Sequence, residues 1–231
     1  MKILAIIPAR AGSKRLKGKN RLPLGKKPLL LWTIQTAQKV REITDILVST
    51  DCPKIARTAS ESGVLAPWLR PKRLAGDRSS SVAVALHALD WYERHRGLVD
   101  GVLLLQPTSP FRSATNIRKA IMIFKKNHKR PVIGITPEKA HPLQSLKIKR
   151  KILRPIFGLK GLRKRHQDLG SAYRVSGAIY LVSVKHLKKE RSFFGNKNQP
   201  YLMENEVEAI DIDTQFEYRV AQLLVKSQGT R

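Results

Sequence analysis

Residues 6–20 of this 231-residue chain gather Arg10, Lys14, Arg15, Lys17 and Lys19 around Gly12 and Gly18. Backbone N–H groups and cationic side chains converging in such a loop suit phosphate, although a solvated basic loop has the same composition. Neither GxxxxGK[ST] nor GxGxxG occurs, which removes the P-loop and dinucleotide readings at the motif level. Far downstream, Ala209-Ile210-Asp211-Ile212-Asp213-Thr214 spaces two carboxylates two residues apart. At the end of a strand they would project to one face, where hard oxygen ligands suit Mg²⁺ shared with triphosphate oxygens. Alternatively, Asp213 or Thr214 caps the next helix and Asp211 is solvated. A third candidate is the proline-bounded stretch Gln106-Pro107-Thr108-Ser109-Pro110-Phe111-Arg112, which also reads as an ordinary turn with Ser109 and Ser113 as helix caps.

These groups need a scaffold. Lys2–Ile7 is a short apolar, β-branched run, read as a buried strand, and Pro28–Val40 carries apolar residues at helical spacing. Strand signals return at Thr44–Ser49, Gly101–Leu105 and Pro131–Thr136, alternating with helices over Pro53–Ser62, Ser79–Arg96 and Ala114–Asn127. That alternation predicts a parallel sheet covered on both faces, with ligands bound beyond the carboxyl ends of the strands. The character changes from Lys147 to Arg165, a segment without acids that carries nine cations and reads as short strands and a long loop. A cleaner strand follows at Ala178–Val184, and a last helix at Gln215–Lys226.

Composition sets outer bounds. A 42% hydrophobic, 27% charged chain is globular and long enough for a sizeable core. The lone Cys52 excludes an intramolecular disulfide and a cysteine zinc site. No apolar run reaches membrane-spanning length and no signal-peptide pattern opens the chain, so the expected compartment is the cytoplasm. The net charge of +28 exceeds what a nucleotide needs and suggests salt-sensitive, nonspecific polyanion binding or simply a basic proteome or solubility adaptation, without any RNA- or DNA-reading motif.

The wording of the motifs is more specific than their chemistry. Ile-Pro-Ala-Arg-x-Gly-Ser-Lys-Arg, Lys19-Asn20, the Leu-Gly-Lys-x-Pro-Leu at 24–29, Leu-Gln-Pro-Thr-Ser-Pro-x-Arg at 105–112, Tyr173-Arg174-Val175-Ser176-Gly177-Ala178-Ile179-Tyr180 and Ile-Asp-Ile-Asp-Thr run in order along the chain. Together they resemble the acylneuraminate cytidylyltransferases, the enzymes that activate acidic nine-carbon sugars. The resemblance implies a Rossmann-like α/β fold of the nucleotide-diphospho-sugar transferase type, a mostly parallel sheet flanked by helices. It also implies a nucleotide-binding domain over 1–137 and 196–231 and a small inserted sugar-side and dimerisation arm over 138–195. It implies transfer of CMP from CTP to a nonulosonic acid, with Mg²⁺ on Asp211 and Asp213 and a homodimer as the assembly. Arg10 and Asn20 would hold the triphosphate and ribose, with Lys14 and Lys19 adding charge and the backbone at Ala9 and Ala11 helping to define the base. Arg70 and Ser81 would lie at the base and its sugar, and Gln106, Tyr180, Phe193 and Phe194 at the acidic sugar. Arg10, Lys19, Asp211 and Asp213 would carry the reaction.

Five positions depart from the family's usual wording: Ala11, Arg78, Gln144, His166 and Ser176. Three of them, Gln144, His166 and Ser176, fall on the sugar side and put the sugar's identity in question more than the reaction. The alternatives are therefore a relative acting on legionaminic, pseudaminic or an eight-carbon 3-deoxy acid, or a degenerate nucleotide- or nucleic-acid-binding member. The Gln-Pro-Thr-Ser-Pro turn argues against the pseudaminic and eight-carbon versions.

Overall fold

The computed structural model describes residues 1–228, the side chains of His166 and Gln228 excepted. In chain order its elements are β1 (Ile3–Pro8), β2 (Pro23–Leu24), β3 (Lys27–Pro28), α1 (Leu29–Gln38), β4 (Asp45–Ser49), α2 (Pro53–Glu61), α3 (Lys72–Ala75) and α4 (Ser81–Arg96). There follow β5 (Gly101–Leu104), α5 (Ala114–Lys126), β6 (Val132–Pro137), β7 (Leu146–Lys149), β8 (Ile152–Pro155), α6 (Leu159–Leu162), β9 (Tyr173–Ser183), α7 (Val184–Glu190), β10 (Gln199–Leu202) and α8 (Gln215–Gln228).

Six strands form one sheet in the order β10-β6-β9-β5-β1-β4. β1 pairs parallel with β4 and β5, and β10 parallel with β6, whereas β9 runs antiparallel to both neighbours. The sheet is thus mostly parallel, as expected. The period of two in β1 divides the core: Ile3, Ala5 and Ile7 pack with apolar residues of α1, α2 and α5, while Leu4 and Ile6 pack with α4 and α7. A third cluster seats α8 against the small β2–β3 hairpin and the start of α1 through Tyr218, Ala221, Leu24 and Leu29. Two serines start helices as their type predicts: Ser80 accepts from the Ala83 amide at 3.1 Å and Ser113 from the Asn116 amide at 3.2 Å. Ser109, expected as a possible cap, is instead fully buried with its hydroxyl unpaired among the described residues.

The expected arm over 138–195 needs a narrower boundary. Its C-terminal part contributes β9, whose Ala178–Val182 run is buried between β5 and β6, and α7 and Phe193, which close the second core layer. A continuous apolar run cannot remain in an exposed arm, so it enters the sheet. What stands apart is the β7–β8 hairpin, paired only with itself, and the short α6. Arg150 and Lys151 both adopt positive φ (52° and 63°) at its two-residue turn, the twist a tight hairpin demands.

Candidate active site

The carboxyl ends of β1 and β5 open onto a cavity of about 510 Å³. Its wall includes Arg10, Lys14, Lys19, Asn20, Arg70, Ser81, Gln106, Asp211 and Asp213, residues spread over two hundred positions of sequence. Backbone turns bring them there. After β1 the Ala9 amide donates to the Ser49 carbonyl (2.9 Å) and the Ala11 amide to Asp51 Oδ1 (2.7 Å), which swings the loop across the ends of β1 and β4. Asn20 is buried and its amide donates to the Arg10 carbonyl at 2.9 Å, closing the loop on itself.

The cations of the loop are paired across the cavity. Asp77 accepts from Arg10 (2.8 Å) and Lys14 (2.6 Å), and Asp213 from Arg15 (2.6 Å) and Lys19 (2.7 Å). Arg70 is held by the Ser49 hydroxyl (3.0 Å) and carbonyl and by the Leu74 carbonyl (3.4 Å). Burial, with the charge of Arg10 added to it, pushes its guanidinium down to about 10 against the pull of Asp51. Arg70 therefore presents a fixed positive edge to the cavity rather than a mobile loop charge.

The aspartate pair does not end a strand. Residues 209–214 are irregular, and the Ile212 amide donates to the Thr108 carbonyl at 2.7 Å, which pins the segment to the turn after β5. Ile212 is buried, and both aspartates still line the cavity, so the alternation survives without the strand. Capping falls to Thr214 with Glu217. The Glu217 carboxylate accepts from the Asp213 and Thr214 amides (both 2.7 Å), and the Glu217 amide donates to the Thr214 hydroxyl (3.3 Å). This is a capping box, whose S/T-x-x-E signature is legible in the sequence and frees Asp213 for the cavity.

The two carboxyls are pushed apart. Burial raises Asp211, helped by the charges of Asp213 and Glu217 and opposed by the Thr108 hydroxyl and Lys19. Burial also pushes Asp213 up, but the hydrogen bond and charge of Lys19, with the charge of Arg15, leave it below the usual carboxylate range. Asp211 Oδ1 is buried without a donor among the described residues. An unpaired carboxylate oxygen beside a second carboxylate and a row of cations fits Mg²⁺, which takes one or two protein carboxylates and completes its shell with phosphate oxygens and water. Among the described residues no group of three or more His, Cys, Asp or Glu forms a self-sufficient metal cage.

The sugar-side expectations separate. Gln106 lines the cavity, and β9 bulges toward it: Gly177, at φ 78°, lies where an added Cβ would be 3.4 Å from Gln106 Oε1 and 3.6 Å from Asp211 Oδ2. Burial and the nearby Asp211 raise the Tyr180 phenol. Phe193 and Phe194 flank that ring at 5.8 and 6.1 Å between centroids, yet neither lines the cavity, and Phe193 is a core residue. Ala9 is likewise buried in the core and only its backbone faces the loop. Ser176 is buried, 2.8 Å from where a Cβ on Gly134 would sit, and Gln144 is half-buried with its amide reaching the Lys164 carbonyl (3.4 Å). The side chain of His166 lies outside the described residues.

Sequence reasoning gave no role to Arg112 or Asp77. Arg112 is fully buried and donates to the carbonyls of Gln106 and Ala178 and to the Thr33 hydroxyl (2.8 Å), tying the turn after β5 to β9 and α1. Its place at the end of the Gln106 motif was the available signal. Asp77 had one too, as the acid that follows the Arg70, Lys72 and Arg73 cluster.

A cationic phosphate cradle, a buried arginine and paired carboxylates at the carboxyl ends of a mostly parallel sheet define a nucleotide-using transferase class. The chain belongs to the cytidylyltransferase family, whose sequence model matches residues 4–226. It is 36% identical to the CMP-N,N'-diacetyllegionaminic acid synthase of Legionella pneumophila, covering 98% of this chain and 97% of that protein. It is 33% identical to the N-acylneuraminate cytidylyltransferase of Escherichia coli over 95% of this chain and 51% of that protein. It is 30% identical to a pseudaminic acid cytidylyltransferase of Campylobacter jejuni over 98% of this chain and 97% of that protein. The fold matches a structure of CMP:2-keto-3-deoxy-manno-octonic acid synthetase complexed with CTP, with a TM-score of 0.73, 15% identity and coverage of 99% of this chain and all of that one. It also matches the 4-diphosphocytidyl-2C-methyl-D-erythritol synthase of Anaerococcus prevotii, with a TM-score of 0.66, 18% identity and coverage of 97% and 98%.

Proposed function

We propose that this enzyme transfers the cytidylyl group of CTP to the anomeric hydroxyl of a nonulosonic acid, releasing pyrophosphate. The observation that carries the reading is the single cavity joining the loop cations, Arg70, Gln106 and the Asp211/Asp213 pair. The names of the relatives support the acceptor class. The acceptor oxygen forms a bond to the α-phosphorus as the bond to the pyrophosphate oxygen breaks, and the hydroxyl proton is lost. Phosphoryl-type transfer needs positioning and charge neutralisation more than covalent help from the protein.

Each side chain has a part in that. Arg10, Lys14 and Lys19 meet the triphosphate, Asn20 holds the loop that presents them, and Arg70 and Ser81 close the nucleoside end. Gln106, kept in place by Arg112 through its own carbonyl, faces the acidic sugar beside Tyr180. Asp211 and Asp213 would hold Mg²⁺, which when bound supplies positive charge to the phosphate oxygens. The exposed apolar side chains of the β7–β8 hairpin, Ile148 at 75% and Leu153 at 64% exposure, fit burial against a second copy, and a homodimer is the assembly we infer. The cytoplasm is the compartment this CTP-consuming reaction calls for.

The test is incubation with CTP, Mg²⁺ and a panel of nine- and eight-carbon acids, followed by pyrophosphate release and detection of the CMP-sugar. Turnover with at least one nine-carbon acid is expected, and chelation of the metal should stop it. No turnover with any acid, together with tight RNA binding at physiological salt, would overturn the assignment.

A further inference from the structure

The loop cations form two ion-paired sets of different kinds. Asp213 is accounted for by the proposed metal site, but Asp77 has no such role. It sits in the turn between α3 and α4, ordered by the Ser79 amide donating to the Gly76 carbonyl (3.1 Å) and the Ser79 hydroxyl to the Arg73 carbonyl (3.1 Å). Each of its oxygens takes one cation from the opposite lip of the cavity: Oδ1 takes Arg10 and Oδ2 takes Lys14. Asp77 and both of its partners line the cavity. A carboxylate bridging an arginine and a lysine presents the same two acceptor oxygens and the same sign of charge as one phosphate group.

The segment it holds has little else to hold it on that side. An added Cβ at Gly12 would meet nothing within 4 Å, and Lys14 is 80% exposed in its side chain. Asn20 and Asp51 both hold the Arg10–Ala11 peptide, at its carbonyl and its amide, and Leu16 is buried with Arg15 and Lys19 paired to Asp213 beyond it, so Asp77 fixes the intervening stretch through the Arg10 and Lys14 side chains. All three side chains are solvent-accessible, so the pairs are screened and individually weak, and a polyphosphate carrying several charges outcompetes them.

We propose that Asp77 is a place-holding counter-ion, which orders the phosphate loop before nucleotide binds and surrenders Arg10 and Lys14 to the incoming polyphosphate. It is a positioning residue, acting through those two cations. The inference rests on the nucleotide reading given above, and its test is chosen to part the two. Hydrogen exchange read by mass spectrometry on the peptide spanning residues 10–20 reports the loop directly. Asp77→Asn keeps the size of the side chain but removes the charge, and Asp77→Glu keeps the charge.

In the ligand-free protein, Asp77→Asn should exchange about three- to tenfold faster across the loop, as expected for losing two exposed ion pairs, with Asp77→Glu close to the wild type. Saturating inorganic tripolyphosphate or CTP should bring all three to the same slow rate, because the phosphate replaces the carboxylate. Equal exchange in the ligand-free wild type and Asp77→Asn would overturn the proposal. So would a variant that stays fast when saturated, since Asp77 would then hold the cations in the complex as well. Protection by tripolyphosphate without any CMP-sugar formation would support the exchange while sinking the transfer reaction. Protection by neither ligand would overturn both.

Discussion

Arg112 offers the sharpest measurement. It is a charged side chain at 2% exposure, with its guanidinium pushed down to about 9 by burial against the counter-pull of Asp211. Three acceptors depend on it: the Ala178 and Gln106 carbonyls and the Thr33 hydroxyl. Arg112→Met fills similar space but takes the donor from the Ala178 carbonyl and the Thr33 hydroxyl and leaves the Gln106 carbonyl with the Ser109 amide (3.3 Å), at about 1–3 kcal/mol for each buried group left unpaired. Part of that is returned because the buried charge disappears, so the net loss should be about 3–5 kcal/mol. For a chain of this size that lowers the melting temperature by about 6–20 °C. Arg112→Lys retains one donor head and should lose roughly half as much. Thermal unfolding followed by circular dichroism measures both. Initial rates should add a second signature: the freed Gln106 carbonyl lets the acceptor side drift, so kcat/KM for the sugar falls more than CTP affinity does. Melting of both variants within about 2 °C of the wild type would refute the reasoning, because no orphaned acceptor would then have been created.

The aspartate pair should respond to pH with opposite signs. Asp211 is raised in the folded state, so its protonated form is the stabilised one, and that stability is lost as pH rises through its folded value. Asp211→Asn should therefore melt above the wild type at pH 7, converge with it below about pH 4, and be inactive. Asp213 is lowered, so Asp213→Asn should melt below the wild type at neutral pH, and the gap should close as pH falls through the folded value. Thr214→Ala removes the capping hydroxyl of α8 and should cost about 1 kcal/mol, read by urea unfolding. Gly177→Ala forces a side chain into positive φ at about 1–2 kcal/mol and strains the β9 backbone beside Gln106 and Asp211; steady-state kinetics should show a fall in kcat.

The sequence alone determined what local chemistry can determine. The apolar periods of Ile3–Pro8, Ser81–Arg96 and Ala114–Lys126 announce buried strands and amphipathic helices, because burial follows the geometric period of each element. The loop cations, Gln106 and the aspartate pair are legible as a candidate site because phosphate and Mg²⁺ chemistry would restrict residue type in this way. The tertiary structure decided what depends on partners distant in sequence. It made β9 an antiparallel strand inside the sheet rather than part of an arm, since strand direction is set by neighbours that the strand's own residues do not name. It placed Phe193 in the core and turned Arg112 from the last letter of a motif into the tie beneath Gln106. It also set Asp77 opposite Arg10 and Lys14, sixty-odd residues away, a pairing that no local pattern names.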